Sequence, residues 1–451
     1  MNPPSQKTKN IFPYLLSLVI ISCIAIWLLR LESRSGWHHA GLINLSLGFV
    51  LLTAHFSAQV LKAFRLPLIS GYIITGILAG PYVSNLLSFE MVDQLRLADS
   101  LALSFIALTA GGSLHLASLK TRFRTILLTI SFLTFFVFGF IFLFVSILGR
   151  HFSLFSDLPT THITVLAILL GIIAIARSPS SAIAIIKESR AKGTFTETVL
   201  GVTVVMDVLI ILFFTFAITI SKAMMLEGAA IDLRLFSALF IEITASIATG
   251  AILGKLIAFY IERAGQDILL FLLFIAFGVT RISLWFSGYM AGTFNIYLHL
   301  EPLLICMSAG FFVQNFSRSG SAFMENLDRM ALPIFVLFFS LAGASLNLHS
   351  LMICWPFAIC IVLVRIIGIF AGTFLAGKIS HDPPAYCRNS WMAYLTQAGI
   401  AIGLAQLAGF QFPEIGDRLI TVVLAVIAIN QLIGPITFKI VLNLVGESDR
   451  S

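Results

Sequence analysis

Charge and cysteine are scarce in this chain, and each shortage excludes a class of protein. Charged residues make up 11% of the 451 residues against 59% hydrophobic, and the mean hydropathy is +1.01. Soluble domains carry about a quarter charged residues, so a soluble globular chain is excluded and an all-α polytopic membrane protein is implied. The net charge of +7 comes without any basic run interleaved with aromatics, which argues against nucleic-acid binding. The five cysteines (Cys23, Cys306, Cys354, Cys360, Cys387) lie mostly in or beside apolar segments and show no CxxC or Cys/His spacing. They read as small apolar residues, with no disulfide framework, metal centre or cofactor implied. No Ser/His/Asp array or phosphate loop is present, so an enzyme is not expected. Long polar loops are lacking too, and the tail after Val445 is short. The whole chain is therefore expected to be the membrane unit, without a regulatory domain.

What the chain has in abundance is apolar runs of spanning length. The first, Ile11 to Leu29, follows Lys7 and Lys9 but exceeds a signal-peptide core and is followed by Arg30-Leu31-Glu32, which offers no small-residue cleavage site. It reads as a retained helix. Further spans are expected at 41–62, 66–88, 97–117, 123–149, 163–187, 197–220, 235–260, 267–289, 295–315, 331–349, 352–377, 388–409 and 418–443. The total is fourteen, or thirteen if the span holding Glu301 or the near-continuous pair flanking His349 is miscounted.

Lys and Arg accumulate in cytoplasmic loops. With the N-terminus inside, those loops collect Lys62, Arg65, Lys120, Arg122, Arg124, Lys187, Arg190, Lys192, Arg263, Arg318, Arg329, Lys378 and Arg388. The opposite loops hold Arg30, Arg34, Arg96, Arg150, Lys222, Arg234 and Arg418. Both termini are expected to be cytoplasmic.

The stretch Val165 to Phe216 carries the chemistry. Its first apolar segment is interrupted by Arg177-Ser178-Pro179-Ser180-Ser181 and its second holds a single carboxylate, Asp207. Pro179 removes a backbone donor and clashes with the preceding turn. Backbone groups freed at that depth are tolerated only where they line a cavity or are buried in protein. Asp207 lies ten residues beyond Glu197, about 15 Å into the membrane by helix rise. An ionisable group there is read as functional by default. Thr203, one turn earlier on the same face, offers a hydroxyl oxygen to a bound cation. Arg365 and Arg177 fall at the same depth, so one negative and two positive charges share the midplane. A broken helix beside a buried carboxylate points to an ion-transport site.

Other polar positions read as structural. Glu242 and Arg281 lie at matching depths on consecutive spans, so an ion pair between them is expected. His55, His115 and His349 read as packed histidines, and Gly71, Gly76 and Gly80 form a small-residue stripe for close helix packing.

Residues 66–82, with the pattern Pro-x-x-x-Gly-Tyr-x-x-x-Gly-x-x-x-Gly-Pro, resemble the hallmark of the bacterial monovalent cation:proton antiporter (Na+/H+ exchanger) superfamily. Residues 105–120 look like its next helix, 177–188 like its broken helix, and Met206-Asp207 like its ion-binding dipeptide. Arg365 matches its midplane basic residue, 391–408 its second broken helix, and Gly434-Pro435 its terminal Gly-Pro. The resemblance covers about 40–443.

It implies an inverted-repeat fold with two broken helices crossing near the midplane. The implied divisions are an extra N-terminal helix (1–40), scaffold and dimerisation helices (41–118), a first core repeat (119–222), further scaffold helices (223–350), a second core repeat (351–445) and a short tail (446–451). It also implies a homodimer in a bacterial inner membrane exchanging Na+ or K+ for protons by an elevator-like motion. Asp207 would be the shared cation and proton site, Thr203, Ser178 and Ser180 secondary ligands, and Arg365 with Arg177 electrostatic partners. Three positions depart from the pattern. Gly111-Gly112-Ser113 stands where the family often has Gly-Leu-Glu, which loses an acid. Met206 stands where the family usually has Asn, Asp or Gln, which suggests electroneutral exchange, and Arg177 stands where it usually has a small neutral residue. Two alternatives stay open: an anion moved with protons through an Arg177/Arg365 site, and a non-transporting sensor or interaction subunit built on a permanent Arg177–Asp207 salt bridge.

Overall fold

The computed structural model describes residues 13–21, 24, 39–225, 233–294, 300–397 and 399–448. Among them there is no strand. Of the extra first span only 13–21 and 24 are described, and they are helical; Cys23, Arg30, Arg34 and the 226–232 loop lie outside the described residues.

The helices are α1 (His39–Ala63), α2 (Leu68–Ala79), α3 (Phe89–Gln94), α4 (Arg96–Gly112), α5 (Leu116–Leu148), α6 (Thr160–Ile173), α7 (Pro179–Glu188), α8 (Thr194–Met225) and α9 (Leu233–Arg263). They continue with α10 (Ile268–Phe294), α11 (Pro302–Phe316), α12 (Gly320–Ala344), α13 (Leu348–Ile379), α14 (Pro384–Asn389), α15 (Gly399–Gln411) and α16 (Pro413–Leu444). Every expected span from the second onward has a helical counterpart. Several begin a few residues early, and two begin well before the expected position. α5 starts at Leu116 and carries Lys120, Arg122 and Arg124 on its first turns, and α12 starts at Gly320, where an Arg329–Glu325 pair at 2.8 Å supports the extra turns. Hydropathy marks where a helix enters lipid, whereas the helix itself continues for as long as its backbone bonds are satisfied.

Packing divides the chain into two units. The first is Met1–Asp99 with Phe335–Leu346. Its core joins Ile43 and Val50 to Ala79, Leu87, Met91, Leu341 and Ala344. The glycine stripe makes this packing possible: a Cβ on Gly71 would lie 2.5 Å from the Ala58 backbone, and one on Gly76 would lie 2.1 Å from the Ser340 carbonyl oxygen.

The second unit, Ser100–Ile334 with Asn347–Ser451, contains two like sets of elements. In the first, long α5 leads to α6, a break over 174–178, short α7 and long α8. In the second, long α13 leads to α14, a 3-10 turn (Ser390–Tyr394), an irregular break over Leu395–Gln397, α15 and long α16. The long helices α5 and α13 cross where Gly368 and Gly372 meet the α5 backbone; a Cβ on Gly368 would lie 3.0 Å from Val137 Cα. This is the inverted-repeat arrangement expected from the resemblance.

Ion pairs tie the helix ends of this unit together. Glu188 at the end of α7 accepts from Lys439 of α16 at 2.8 Å, Arg122 of α5 pairs with Asp382 at 2.9 Å, and Lys187 pairs with Asp328. After α16 the chain turns back on itself through Gly446, which adopts φ +76°. This presents the Glu447 carboxylate to the first turn of α8, where it accepts from Phe195 N (2.8 Å), Thr196 N (2.7 Å), Thr196 Oγ1 (2.7 Å) and Tyr386 Oη (3.0 Å). It thus satisfies donors that a helix start leaves open, at the end where the dipole favours an anion.

Glu447→Ala should therefore lower the melting temperature of the detergent-solubilised protein, with a cost of about 2 kcal/mol; an unchanged melting curve would reject the clamp. At another set of ends, Arg418 donates to both Asp157 oxygens (2.6 and 2.7 Å) and holds this loop carboxyl below its usual range. A carboxyl lowered on folding contributes stability above its unfolded pKa of about 3.9, and loses that contribution as pH falls through the folded value. Asp157→Asn should lower stability at pH 7 and flatten the acid side of the stability profile between about pH 5 and pH 2, so that the variant and the wild type converge at low pH.

Candidate functional site

The site grows from the two helix breaks. α6 ends at Ile173, and 174–176 tighten into a narrower turn, with Ile175 N bonded to Ile172 O (3.0 Å) and Ala176 N to Ile173 O (3.1 Å). Ser178 then caps α7, its Oγ accepting from Ser181 N at 3.3 Å, and Pro179 takes the first helical position, where no backbone donor is needed. The Ser-Pro pair therefore works here as a helix start. In the second repeat no proline marks the break; the helix gives way to irregular chain over Leu395–Gln397.

A broken helix leaves carbonyl oxygens aimed at nothing, and at this depth water does not serve them. Arg365, fully buried in the middle of α13, meets that need. Its Nε donates to Ala174 O (2.8 Å), its Nη2 to Ala176 O (3.2 Å) and its Nη1 to Leu395 O (2.9 Å). One guanidinium thus binds the carbonyl ends of both interrupted helices, where a positive charge opposes the partial negative charge of the helix termini. Gln397 extends the network by donating to Ile173 O at 3.0 Å and accepting from Asn430 Nδ2 of α16 at 3.0 Å. Gly434 leaves room for the second break: a Cβ there would lie 2.8 Å from the Thr396 side chain.

Asp207 stands apart from this network. It is half-buried on α8, and its Oδ1 is enclosed without a hydrogen-bond partner. No ion pair joins it to Arg177 or to Arg365 among the described residues. The group whose charge acts on it is a second acid, Glu301. Glu301 precedes α11, and its backbone N–H donates to Ser246 Oγ of α9 at 3.1 Å. Thr203 is buried one turn before Asp207 with its hydroxyl donated to Val199 O at 2.8 Å, which leaves the oxygen lone pairs available. Met206 is fully buried and its sulfur receives the Thr134 hydroxyl at 3.9 Å.

The remaining positions are placed as follows. Ser178 and Ser180 are buried at the start of α7. Arg177 is 2% exposed, and none of its three nitrogens has a partner. Glu242 is half-buried and Arg281 exposed, and they form no ion pair with each other in this conformation. Among the described residues no group of three or more His, Cys, Asp or Glu side chains is placed to hold a metal. Three participants were not singled out from the sequence. Gln397 and Asn430 are amides inside apolar runs, a signal that was there to find. Glu301 was noted only as a difficulty in counting spans.

Arg365→Ala should leave three buried carbonyls without donors and destabilise the protein by about 3–5 kcal/mol. Arg365→Lys, with one point charge in place of a fork, should recover only part of that. Melting temperatures in detergent test both, and a wild-type melt for the alanine variant would sink the assignment.

A family profile described as sodium/hydrogen exchanger, transmembrane, matches residues 48–444. Comparison with curated proteins gave no match. Among solved structures, the fold is similar to the sodium proton antiporter MjNhaP1 from Methanocaldococcus jannaschii at pH 8, with TM-score 0.61 and 18% identity over 91% of this chain and 96% of that one. An electron-microscopy structure of the same antiporter gives TM-score 0.67 and 16% identity over the same shares. With the profile spanning both broken helices, Asp207 and Arg365, the chain belongs to the sodium/hydrogen exchanger transmembrane family.

Proposed function

We propose that this multi-pass membrane protein exchanges Na+ or K+ for protons at Asp207 by alternating access. The observation that supports this most directly is the unpartnered, enclosed Oδ1 of Asp207 on a helix packed against the first broken helix. A carboxylate held away from both arginines keeps its charge for a mobile partner. A proton and a hard monovalent cation compete for it, so each must leave before the other enters, and that competition is the coupling. Thr203 Oγ1 supplies a neutral oxygen one turn away, and Glu301 adds negative potential that attracts cations and opposes anions. Ser178 and Ser180 remain secondary ligands on this reading.

The same observations weigh against the alternatives. A permanent Arg177–Asp207 salt bridge, which a sensor would need, is not formed. Arg365 spends its donors on carbonyl oxygens, so it is not free to bind an anionic cargo.

Movement follows from the construction. The two repeats tied at Arg365 travel as one body, elevator-like, against the remaining helices, with the scaffold spans forming a homodimer interface. The setting is a bacterial inner membrane with both termini cytoplasmic. With one carboxylate titrating per cation, exchange is electroneutral.

Asp207→Asn should abolish cation-induced dequenching of a pH-gradient dye in everted vesicles, a loss of at least about 100-fold. Persistent Na+ or K+ response in that variant overturns the proposal. Glu301→Gln should keep exchange but raise the cation concentration needed for half-maximal response by about tenfold or less.

A further inference from the structure

Arg177 is the buried group that the exchange reaction does not use. It follows the close of α6 and precedes the Ser178 cap of α7, is 2% exposed, and leaves Nε, Nη1 and Nη2 all unpartnered. A guanidinium does not give up its proton in proteins, so burial cannot be relieved by neutralisation, and an uncompensated buried charge is strongly unfavourable.

The surroundings sharpen the need for a counter-charge. Arg365 lies within electrostatic range of Arg177, so the break holds two like charges, and the donors of Arg365 are already committed to the backbone. The α7 N-terminus adds partial positive charge at the same point. Among the described residues the side chain whose charge bears on Arg177 is the Tyr394 phenol, and no ion pair joins Arg177 to a carboxylate. Asp207 feels Glu301 instead, and Asp382, on the Tyr394 side, is held by Arg122 at 2.9 Å. Tyr394, itself 2% exposed, also lines a polar cavity with the Arg122–Asp382 pair, Thr129, Thr198, Thr373 and Ser390. That hydroxyl-lined space has room for water.

We propose that Arg177 binds a small inorganic monovalent anion of the chloride, bromide and nitrate class as a resident counter-ion at the α6–α7 break, one that exchange requires but does not carry. The guanidinium fork presents parallel N–H donors, none of them used within the protein. Once neutralised, the break no longer repels a cation approaching Asp207. The binding claim stands independently of which residue carries the cation.

The test uses the full chain, purified and exchanged at constant ionic strength between chloride and gluconate. Melting temperature should rise with chloride, bromide or nitrate and saturate, and not with gluconate. Arg177→Gln should abolish that rise. Crystals or grids prepared in bromide should show the halide about 3.2–3.5 Å from the guanidinium. In proteoliposomes, cation-driven proton flux should fall about tenfold in gluconate and recover with chloride, while radiolabelled chloride uptake does not follow the cation gradient. If Arg177→Gln does not fold, the wild-type anion dependence and the halide position decide alone. Equal melting in chloride and gluconate overturns the site, as does an anion response that survives in Arg177→Gln. Chloride flux coupled to exchange overturns the resident role and makes the anion cargo. Loss of exchange activity altogether, with anion-dependent melting retained, would count against Asp207 as cation site and not against this one.

Discussion

Two interrupted helices end inside the protein, and one guanidinium binds the ends of both. The three bonds from Arg365 to Ala174, Ala176 and Leu395 make the crossing tolerable in a medium without water. Everything near the midplane is arranged around that solution. Gln397 and Asn430 carry the satisfaction outward to α16. Gly434, Gly368 and Gly372 let neighbouring backbones approach closely enough for a side chain on α13 to reach both breaks. Because a single group binds both repeats, neither break can shift without the other.

The charge pattern at this depth is one of separation. Arg365 is absorbed by backbone dipoles, Arg177 stays buried without a hydrogen-bond partner, and Asp207 lies with another acid, Glu301, as its electrostatic neighbour. Opposite charges in a low-dielectric interior attract strongly, so keeping them apart is costly unless each has its own environment. An exchanger needs that separation, since a carboxylate locked to arginine has nothing left to offer an ion.

At the ends of the helices the logic is the reverse, and charges are brought together. Lys439 meets Glu188, Arg122 meets Asp382, and Glu447 closes the first turn of α8 against Tyr386. These contacts join elements of one repeat to elements of the other, so the crossing is supported from its periphery as well as from its centre. Gly193, next to that turn, has φ +153° and would place a Cβ 2.2 Å from the Glu447 carboxylate, which explains glycine there on two grounds.

Much was legible in the residues themselves. Apolar runs of spanning length fix the helices because lipid leaves the backbone no other partner, and Ser178-Pro179 announces a helix start. Helix ends beyond the lipid, as in α5 and α12, were not legible, because charged residues continue a helix as readily as they end one. The second break carries no proline, and its position depends on Gln397 and Arg365 arriving from elsewhere. Which arginine serves the backbone and which stays unpartnered is likewise beyond any one-dimensional reading, since Arg177 and Arg365 are alike in type and depth. Sequence determined what had to be buried; only the tertiary structure decided what each buried charge would face, because that depends on the distance and direction of groups about 190 residues apart along the chain.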